Sequence, residues 1–276
     1  MSHATKLLLV TGAAGLVGTA LRPLLGEHYR LRLLDRHAIA AAPGEEVMAG
    51  DLCDPVFAER AVAGVDAVLH LACVHGPAAS FDSMLGPNYR ATLQLLEASR
   101  CHGVQRFVFA SSHHVLGQYR ADAAEVFDDL PPAPDSYYGM SKVFGEAACA
   151  SYALRGGPAA FVIRIGNADA QVSDARRLRI WVSTRDLAQL IRIGLDHPDV
   201  VNEIVYGVSD SPRPLFANKR ARQLGYRPQD DAASFVAHAF LDHDAMDPLT
   251  SGRDHVGGAY AAAPLVSVLG VSPTRP

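Results

Sequence analysis

The chain has 276 residues, of which 49% are hydrophobic and 20% are charged, and its formal net charge is −4. This composition is that of an ordinary globular protein and gives no support to a nucleic acid partner. Its apolar stretches are shorter than the roughly 20 residues that a membrane span needs, so we expect no membrane partner.

The N-terminal residues lead directly into the first apolar run, which leaves no room for a secretory signal and predicts a cytoplasmic protein. The cysteines are widely spaced and form no Cys-x-x-Cys pair, so we predict neither a disulfide framework nor a metal site. We interpret all four as buried thiols: Cys53, Cys73, Cys101 and Cys149.

The first predicted element is a strand over Lys6 to Thr11, which a glycine-rich turn joins to a helix over Leu16 to Leu25. Gly12 permits the tight turn, Gly15 lets a pyrophosphate approach the backbone, and Gly18 lets the helix pack closely on the strand. The helix begins with Leu16 and Val17, whose N-terminal position faces the anion. This segment therefore predicts dinucleotide binding, whereas the same glycines without that context would indicate only a turn.

The second predicted strand, Arg30 to Asp35, ends in a carboxylate at the spacing that the dinucleotide fingerprint requires. Asp35 can accept hydrogen bonds from both hydroxyl groups of the adenosine ribose, which favours NAD. A 2′-phosphate would meet a like charge there, although Arg36 could offset the repulsion, so NADP stays open.

Further apolar runs alternate with helical patterns, which predicts a parallel sheet with helices on both faces. The predicted strands are Glu46 to Gly50, Ala67 to Leu71, Arg106 to Ser111, Ala160 to Ile165 and Glu203 to Tyr206, and the helices are Pro55 to Ala63, Ala91 to Cys101, Tyr138 to Leu154 and Leu187 to Leu195. The predicted fold class is α/β, a Rossmann doubly wound parallel sheet with a small C-terminal substrate-binding region. Residues 1–165 form the NAD-binding core, with a later strand near 203–207, and residues 166–276 supply substrate loops and helices without forming an independent domain.

Tyr138 and Lys142 lie four residues apart on one predicted helix, so both side chains share a face. A phenol has an ordinary pKa of about 10, and an ammonium about 4 Å away would lower that pKa toward neutral pH. The pair therefore predicts a phenol that acts as a proton acceptor, although a surface pair would have the same spacing.

Three polar segments follow predicted strands on the side of the sheet where ligands bind, and we interpret them as substrate loops: Ala121 to Pro134, Gly166 to Arg179 and Ser209 to Pro214. The tail from Gly252 to Pro276 is small and apolar, and it indicates little about function.

Together these motifs resemble the extended short-chain dehydrogenase/reductase family, also described as NAD-dependent epimerases and dehydratases. The resemblance spans roughly residues 6 to 166 and rests on the glycine turn, Asp35, Asp51-Leu52, His70-Leu71-Ala72, Asn88, Ser111-Ser112, Tyr138 and Lys142. It implies that Ser112, Tyr138 and Lys142 are catalytic and that Ser111 is not. It also implies that Asp51 and Leu52 flank the adenine, that Leu71 and Ala72 line the cleft, and that Asn88 supports it.

Four segments resemble uronate dehydrogenases more closely than nucleotide-sugar epimerases: Ala110 to Gly117, Tyr138 to Glu146, Arg164 to Gly166 and Leu224 to Pro228. The resemblance aligns Arg176 with the arginine that binds the substrate carboxylate, with Arg177 as the alternative, and makes His114 a donor to a sugar hydroxyl. His113 replaces an asparagine, and His75 and Asn167 replace serines, so we include these residues in the substrate site.

The resemblance implies an NAD-dependent oxidation of a hexuronic acid, of the glucuronate or galacturonate type, at C1 to an aldarolactone. It also implies a homo-oligomer, a dimer or higher. A nucleotide-sugar epimerase with the same catalytic residues is one alternative, and a 4,6-dehydratase is weaker because it needs an Asp-Glu pair where this chain has His113 and His114. A regulator that binds NAD without turnover is the alternative from another class.

Overall fold

The structure, a computed structural model, describes residues 5–121 and 130–268. Its strands are β1 (Leu7–Thr11), β2 (Arg30–Asp35), β3 (Glu46–Ala49), β4 (Ala67–His70), β5 (Arg106–Ser112), β6 (Ala159–Ile165), β7 (Val172–Asp174), β8 (Asn202–Gly207) and β9 (Val236–Leu241). Its α-helices are α1 (Leu16–Gly26), α2 (Pro55–Val62), α3 (Phe81–Met84), α4 (Ala91–Cys101), α5 (Tyr137–Ala153), α6 (Ala175–Leu178), α7 (Thr184–Asp196), α8 (Lys219–Gln223), α9 (Pro248–Ser251) and α10 (Ala259–Ala262). A π-helix spans Leu85–Arg90, and 3-10 helices span His113–Leu116, Ala232–Phe235 and His243–Ala245.

The main sheet has the strand order β3-β2-β1-β4-β5-β6-β8, and every neighbouring pair in it is parallel. The chain winds outward from β1 in one direction and then resumes at β4 in the other, which confirms the predicted doubly wound fold. A crevice forms where the winding reverses, beyond the carboxyl ends of β1 and β4. The last residues of these two strands, Thr11 and His70, are paired in the sheet, so both lie at that crevice.

Alternate residues of β1 enter two different cores, as expected for a strand that is buried on both faces. Leu8 and Val10 pack in a core that also holds residues of α1 and α7, whereas Leu7 and Leu9 pack in a core that holds residues of α2, α4 and α5. Helices therefore cover both faces of the sheet, as predicted.

Serine side chains fix the starting points of two long helices. Ser136 accepts a hydrogen bond from the backbone N–H of Gly139 at the start of α5, and Ser183 accepts one from Asp186 at the start of α7. Such caps satisfy backbone donors that a helix leaves unpaired at its N-terminus. The cap at Ser136 places Tyr138 in the first turn of α5.

The segment Gly166 to Arg179 is not an irregular loop, because it contains β7 and α6, and β7 pairs in parallel with β9 in a second, small sheet. The sequence shows no local sign of this pairing, since the partner strand lies more than 60 residues later in the chain. Most of the predicted loop Ala121 to Pro134 lies outside the described residues. The boundary at residue 165 stays a prediction, as does the cytoplasmic location.

The interpretation of all four cysteines as buried thiols is wrong for three of them. Cys149 is buried, whereas Cys53 and Cys73 are half-buried and Cys101 is exposed. Cys73 is reachable because it lines a cleft, and Cys101 because it is the last residue of α4. Over residues 5–121 and 130–268, no helix has the length and apolar character that a membrane span requires.

Candidate functional site

A cleft of about 740 Å³ opens beyond the carboxyl ends of the parallel strands. Nearly all of the predicted cofactor residues line it: Gly12, Gly15, Leu16, Val17, Gly18, Asp35, Arg36, Asp51, Leu52, Leu71, Ala72, Tyr138 and Lys142. All of the predicted substrate residues line it as well: His75, Ser112, His113, His114, Asn167 and Arg176. Residues that are as much as 164 positions apart in the chain therefore meet in one cavity, as the sequence predicts.

Two glycines of the first turn are required by the packing around them. Gly12 has a φ of +70°, and a Cβ atom there would lie 2.7 Å from the backbone nitrogen of Ala72. A Cβ atom on Gly18 would lie 2.6 Å from the carbonyl oxygen of Gly12. Gly15 precedes α1 and offers no side chain to cap it, so the first N–H groups of this helix face the cleft without a side-chain acceptor. This arrangement suits the pyrophosphate of a dinucleotide.

Asp35 at the end of β2 is held beside the glycine turn. Its carboxylate accepts hydrogen bonds from the backbone N–H groups of Ala14 and His37, each at 3.0 Å. Burial alone would raise the pKa of Asp35, but these hydrogen bonds outweigh it and lower that pKa below its usual value. The carboxylate is therefore ionised and fixed at the rim of the cleft, where it can accept hydrogen bonds from ribose hydroxyl groups.

Asn88 is the one predicted cofactor residue that does not line the cleft. It lies buried in the π-helix, where its side-chain oxygen accepts from the backbone N–H of Val74 at 2.7 Å and its amide nitrogen donates to the carbonyl of Val74 and to Ser141. Asn88 therefore ties the segment after β4 to α5. Asn88 holds these two cleft-lining segments in place without reaching the cleft, so the support that we predict from it is indirect.

His70 joins the ends of β1 and β4 at the crevice. Its Nδ1 lies 2.7 Å from the hydroxyl of Thr11, and its Nε2 lies 3.1 Å from the hydroxyl of Thr92. Burial, with the nearby charge of Lys142, lowers the pKa of His70 to about 3, so the ring is neutral at physiological pH. His70 is thus a structural residue behind the cofactor cleft.

Ser111 and Ser112 end β5 but point to different partners. The Ser111 hydroxyl donates to Glu146 on α5 at 2.5 Å, and Glu146 also accepts two hydrogen bonds from Nε and Nη2 of the buried Arg164 on β6. This network fixes α5 against the sheet. Ser112 instead lines the cleft and forms a hydrogen bond with Tyr138.

Tyr138 and Lys142 both reach the cleft from α5, as their spacing predicts. The ammonium of Lys142 donates to the carbonyl of Ala110 at 2.7 Å and lies 5.4 Å from the centroid of the Tyr138 ring. Burial raises the pKa of Tyr138 well above its usual value, Cys73 adds to the rise, and the hydrogen bond from Ser112 opposes it. The prediction that Lys142 brings this pKa toward neutrality is wrong for the protein without its ligands, because desolvation of the phenolate is the largest effect and raises the pKa.

His113 and His114 begin the 3-10 helix after Ser112, and their ring centroids lie 4.1 Å apart with the ring planes tilted by 35°. The Nδ1 atom of His113 lies 3.1 Å from the carbonyl oxygen of Ile165, and that of His114 lies 2.6 Å from a carboxylate oxygen of Asp135. The polar N–H of His114 is therefore engaged within the protein. The prediction that His114 donates to a sugar hydroxyl does not fit this geometry.

Arg176 and Arg177 are the two alternatives that the sequence leaves open, and they differ in their partners. Arg177 forms a close ion pair with Asp174. Arg176 donates to the backbone carbonyl of Val256 at 2.9 Å, and within the described residues no carboxylate lies at ion-pair distance from it. Burial lowers the pKa of Arg176 to about 10, so its guanidinium stays charged at neutral pH. Arg176 is thus a cation of the cleft without a carboxylate partner among the described residues.

The C-terminal segment supplies a residue that the sequence analysis missed. The Tyr260 side chain lines the cleft, with its ring centroid 4.0 Å from His114 and 6.1 Å from Tyr138. Gly258 allows this approach, because a Cβ atom there would lie 2.5 Å from the Arg176 side chain. The expectation that the tail indicates little about function is therefore wrong, and its paired glycines were the available signal.

The chain is similar to several known proteins. The sequence model of the NAD dependent epimerase/dehydratase family matches residues 8–172. A uronate dehydrogenase from Pseudomonas putida is 42% identical over 261 residues, which are 93% of this chain and 96% of that relative. An NAD-dependent glucose-6-phosphate dehydrogenase from Haloferax volcanii is 35% identical, over 83% of this chain and 95% of that relative.

Among solved structures, a mutant uronate dehydrogenase from Agrobacterium tumefaciens in complex with NAD matches with a TM-score of 0.87 at 33% identity. The match covers 95% of this chain and 98% of that one. The resemblance inferred from the sequence motifs is confirmed.

Proposed function

The chain belongs to the NAD dependent epimerase/dehydratase family, and we propose that it oxidises a hexuronic acid of the glucuronate or galacturonate type at C1 with NAD. The product is an aldarolactone, which leaves the protein and opens in water. The uronate dehydrogenases that match almost the whole chain support this proposal.

The observation that carries the proposal is the charged guanidinium of Arg176 at the catalytic end of the cleft. A partly buried cation without an anionic partner is stabilised when a ligand supplies the anion. The fork of a guanidinium matches a carboxylate in two parallel hydrogen bonds. The substrate is therefore an acid, whose carboxylate binds Arg176 in the cleft that also holds Ser112 and Tyr138.

The residues of the first turn suit NAD. The glycine turn, the uncapped start of α1 and the ionised Asp35 would hold the pyrophosphate and the adenosine ribose, and the charge of Asp35 disfavours a 2′-phosphate. When bound, NAD supplies the hydride acceptor and a positive charge that lowers the pKa of the Tyr138 phenol.

The chain's own residues then handle the proton. Tyr138 accepts the proton of the anomeric hydroxyl as the hydride leaves C1, so the hemiacetal becomes a lactone. Ser112, already hydrogen-bonded to Tyr138, holds the reacting oxygen while its charge changes. Lys142, anchored on the Ala110 carbonyl, keeps a positive charge beside the phenolate. No covalent intermediate is required.

Two other functions are distinguishable from this one. A nucleotide-sugar epimerase would use the same three residues but return the hydride to its substrate, so no reduced cofactor would accumulate. A regulator that binds NAD without turnover would have no use for Ser112, Tyr138 and Lys142 in one cleft.

The test is to incubate the full chain with NAD and a panel of uronates, neutral aldoses, hexose 6-phosphates and nucleotide-sugars, and to follow the reduced cofactor by absorbance. We expect stoichiometric NADH with uronates. The hexose 6-phosphates are included because a relative is named for glucose 6-phosphate. Turnover with a hexose 6-phosphate but not with any uronate would contradict the proposal.

We also propose that copies of the chain associate through α4 and α5. Leu93 on α4, Met140 on α5 and Leu85 just before α4 are 39%, 37% and 42% exposed. A second copy would cover this apolar surface. Light scattering after gel filtration should show a dimer or higher species that Leu93→Glu dissociates, whereas a wild-type monomer would refute the association.

A further inference from the structure

Residues 254–258 form a strap that runs beside the segment after β5. The backbone N–H of Val256 donates to the carbonyl oxygen of Tyr119 at 2.9 Å. The N–H of Gly257 donates in the same way to the carbonyl oxygen of Gly117 at 3.0 Å. The Val256 side chain is fully buried and packs in an apolar core. Both the backbone and a side chain therefore fix the strap to the segment that follows β5.

The Arg176 side chain packs against this strap. Its Nη1 atom donates a hydrogen bond to the backbone carbonyl oxygen of Val256 at 2.9 Å. A Cβ atom added to Gly258 would lie 2.5 Å from Nε and 2.9 Å from Nη2 of the same guanidinium. The strap thus gives the guanidinium one acceptor and, next to it, a backbone surface that carries no side chain.

Two separate constraints act on Gly258. Its φ of +57° and ψ of −132° lie in a region that residues with a side chain rarely adopt. The space where a side chain would begin is also filled by the Arg176 guanidinium. A larger residue at position 258 must therefore displace either the strap or the guanidinium.

A fixed guanidinium favours binding of an acid group. Ordering a flexible side chain costs free energy, and a site that orders the side chain before the ligand arrives removes this cost from binding. The strap is bonded to the segment after β5, and β5 ends at Ser112, so the backbone also fixes Arg176 relative to the reacting end of the cleft. The two ends of the substrate are thereby held at a set separation.

We propose that the strap positions the acid-binding group: the Val256 carbonyl and Gly258 hold the Arg176 guanidinium in the orientation that receives the substrate carboxylate. The inference rests on the proposed function, because it assumes that the acid group of the sugar binds Arg176. Gly258 is a positioning residue, since it acts only through Arg176. The preference for acid over neutral sugars then depends on a part of the chain that lies beyond residues 8–172, the range of the family match.

The kinetic test compares Gly258→Ala with the matched control Gly64→Ala. Gly64 also has a positive φ, of +71°, but a Cβ atom there would meet nothing within 4 Å. In Gly258→Ala the ratio of kcat/KM for galacturonate to that for galactose should fall by about 2- to 10-fold, which is the cost of ordering one flexible side chain. The fall should lie mainly in KM for galacturonate, because the carboxylate binds alike in the ground state and the transition state.

Strain that affects both sugars equally cancels in this ratio, so a general loss of activity does not imitate the expected result. Gly64→Ala should keep the wild-type ratio. An unchanged ratio in a folded Gly258→Ala chain, or an equal fall in Gly64→Ala, would overturn the proposal.

The second measurement uses the wild-type chain without substrate, so its outcome is separate from that of the proposed function and from the folding of any variant. Nitrogen signals of the 15N-labelled full chain, assigned by their loss in Arg176→Met, report rotation of the Arg176 guanidinium about its Nε–Cζ bond. A held guanidinium gives two separate Nη signals, and a freely rotating one gives a single averaged signal. We expect separate signals in the wild type and an averaged signal in Gly258→Ala. An averaged signal in the wild type would overturn the positioning role even if uronates are oxidised, and separate signals in Gly258→Ala would overturn the part of Gly258.

Discussion

Replacing Arg176 with methionine removes the cation of the cleft while nearly preserving the length of the side chain. The Arg176 guanidinium donates one N–H to the Val256 carbonyl, which leaves its other donors for the substrate carboxylate. The variant therefore loses both the substrate contact and the tie to the C-terminal segment. These two effects can be separated, because only the first depends on the charge of the substrate.

The size of the first effect follows from the hydrogen bonds that are lost. Two hydrogen bonds between charged groups contribute about 1.5 kcal/mol each at the low end, or about 3 kcal/mol together. That corresponds to a fall of about 150-fold in kcat/KM for a uronate. The lost bond to Val256 contributes about 1 kcal/mol and affects a neutral hexose equally. The ratio of kcat/KM for galacturonate to that for galactose should therefore fall by about 150-fold.

The assay measures NADH formation with both sugars for the wild type, Arg176→Met and the control Arg177→Met. Arg177 is paired with Asp174, so its replacement should lower the melting temperature slightly and leave the ratio of the two sugars unchanged. If Arg176→Met kept the wild-type ratio, or if Arg177→Met lost it, the assignment of the carboxylate site would be refuted.

Three further perturbations test other parts of the site. Asp35→Ser removes the charge at the ribose site and should raise the ratio of kcat/KM for NADP to that for NAD by about 10-fold or more; an unchanged ratio would show that Asp35 does not select the cofactor. Ser112→Ala should lower kcat by about 100-fold or more, whereas Ser111→Ala should mainly lower the melting temperature, because Ser111 bonds to Glu146 outside the cleft; equal losses of activity would contradict the distinction. Tyr138 must lose a proton to act and burial raises its pKa, so kcat/KM should rise with pH above neutrality. The same kcat/KM should fall above about pH 10, where Arg176 loses its charge. A flat profile from pH 7 to 11 would count against both assignments.

The sheet and its cofactor turn are predictable because their signals are local. The strand, the glycine turn, the helix and Asp35 lie within 30 residues, and their spacing is visible in the sequence, although the contact that requires Gly12 is with the distant Ala72. The helical period likewise determines that Tyr138 and Lys142 reach the same cleft. Arg176 was accessible only through the resemblance, since its distinction from Arg177 depends on Asp174 and Val256.

The remaining features depend on contacts between distant parts of the chain. Tyr260 enters the cleft because Gly257 and Gly258 pack against Asp135 and Arg176, and the paired glycines do not reveal these partners, which lie far away in the sequence. The pKa of Tyr138 depends chiefly on burial, which the helical spacing of Tyr138 and Lys142 does not reveal. The ring nitrogen of His114 that carries the hydrogen is likewise set by Asp135, which lies 21 residues later in the chain.

The most direct test of the proposed reaction is to follow the hydrogen on C1. Glucuronate or galacturonate carrying deuterium at C1 is incubated with NAD and the wild-type chain, and the reduced cofactor is analysed by mass spectrometry. The account predicts that the deuterium appears in the reduced cofactor in stoichiometric amount and that the sugar becomes an aldarolactone. Reduced cofactor without deuterium, or deuterium retained at C1 of a rearranged sugar, would contradict it.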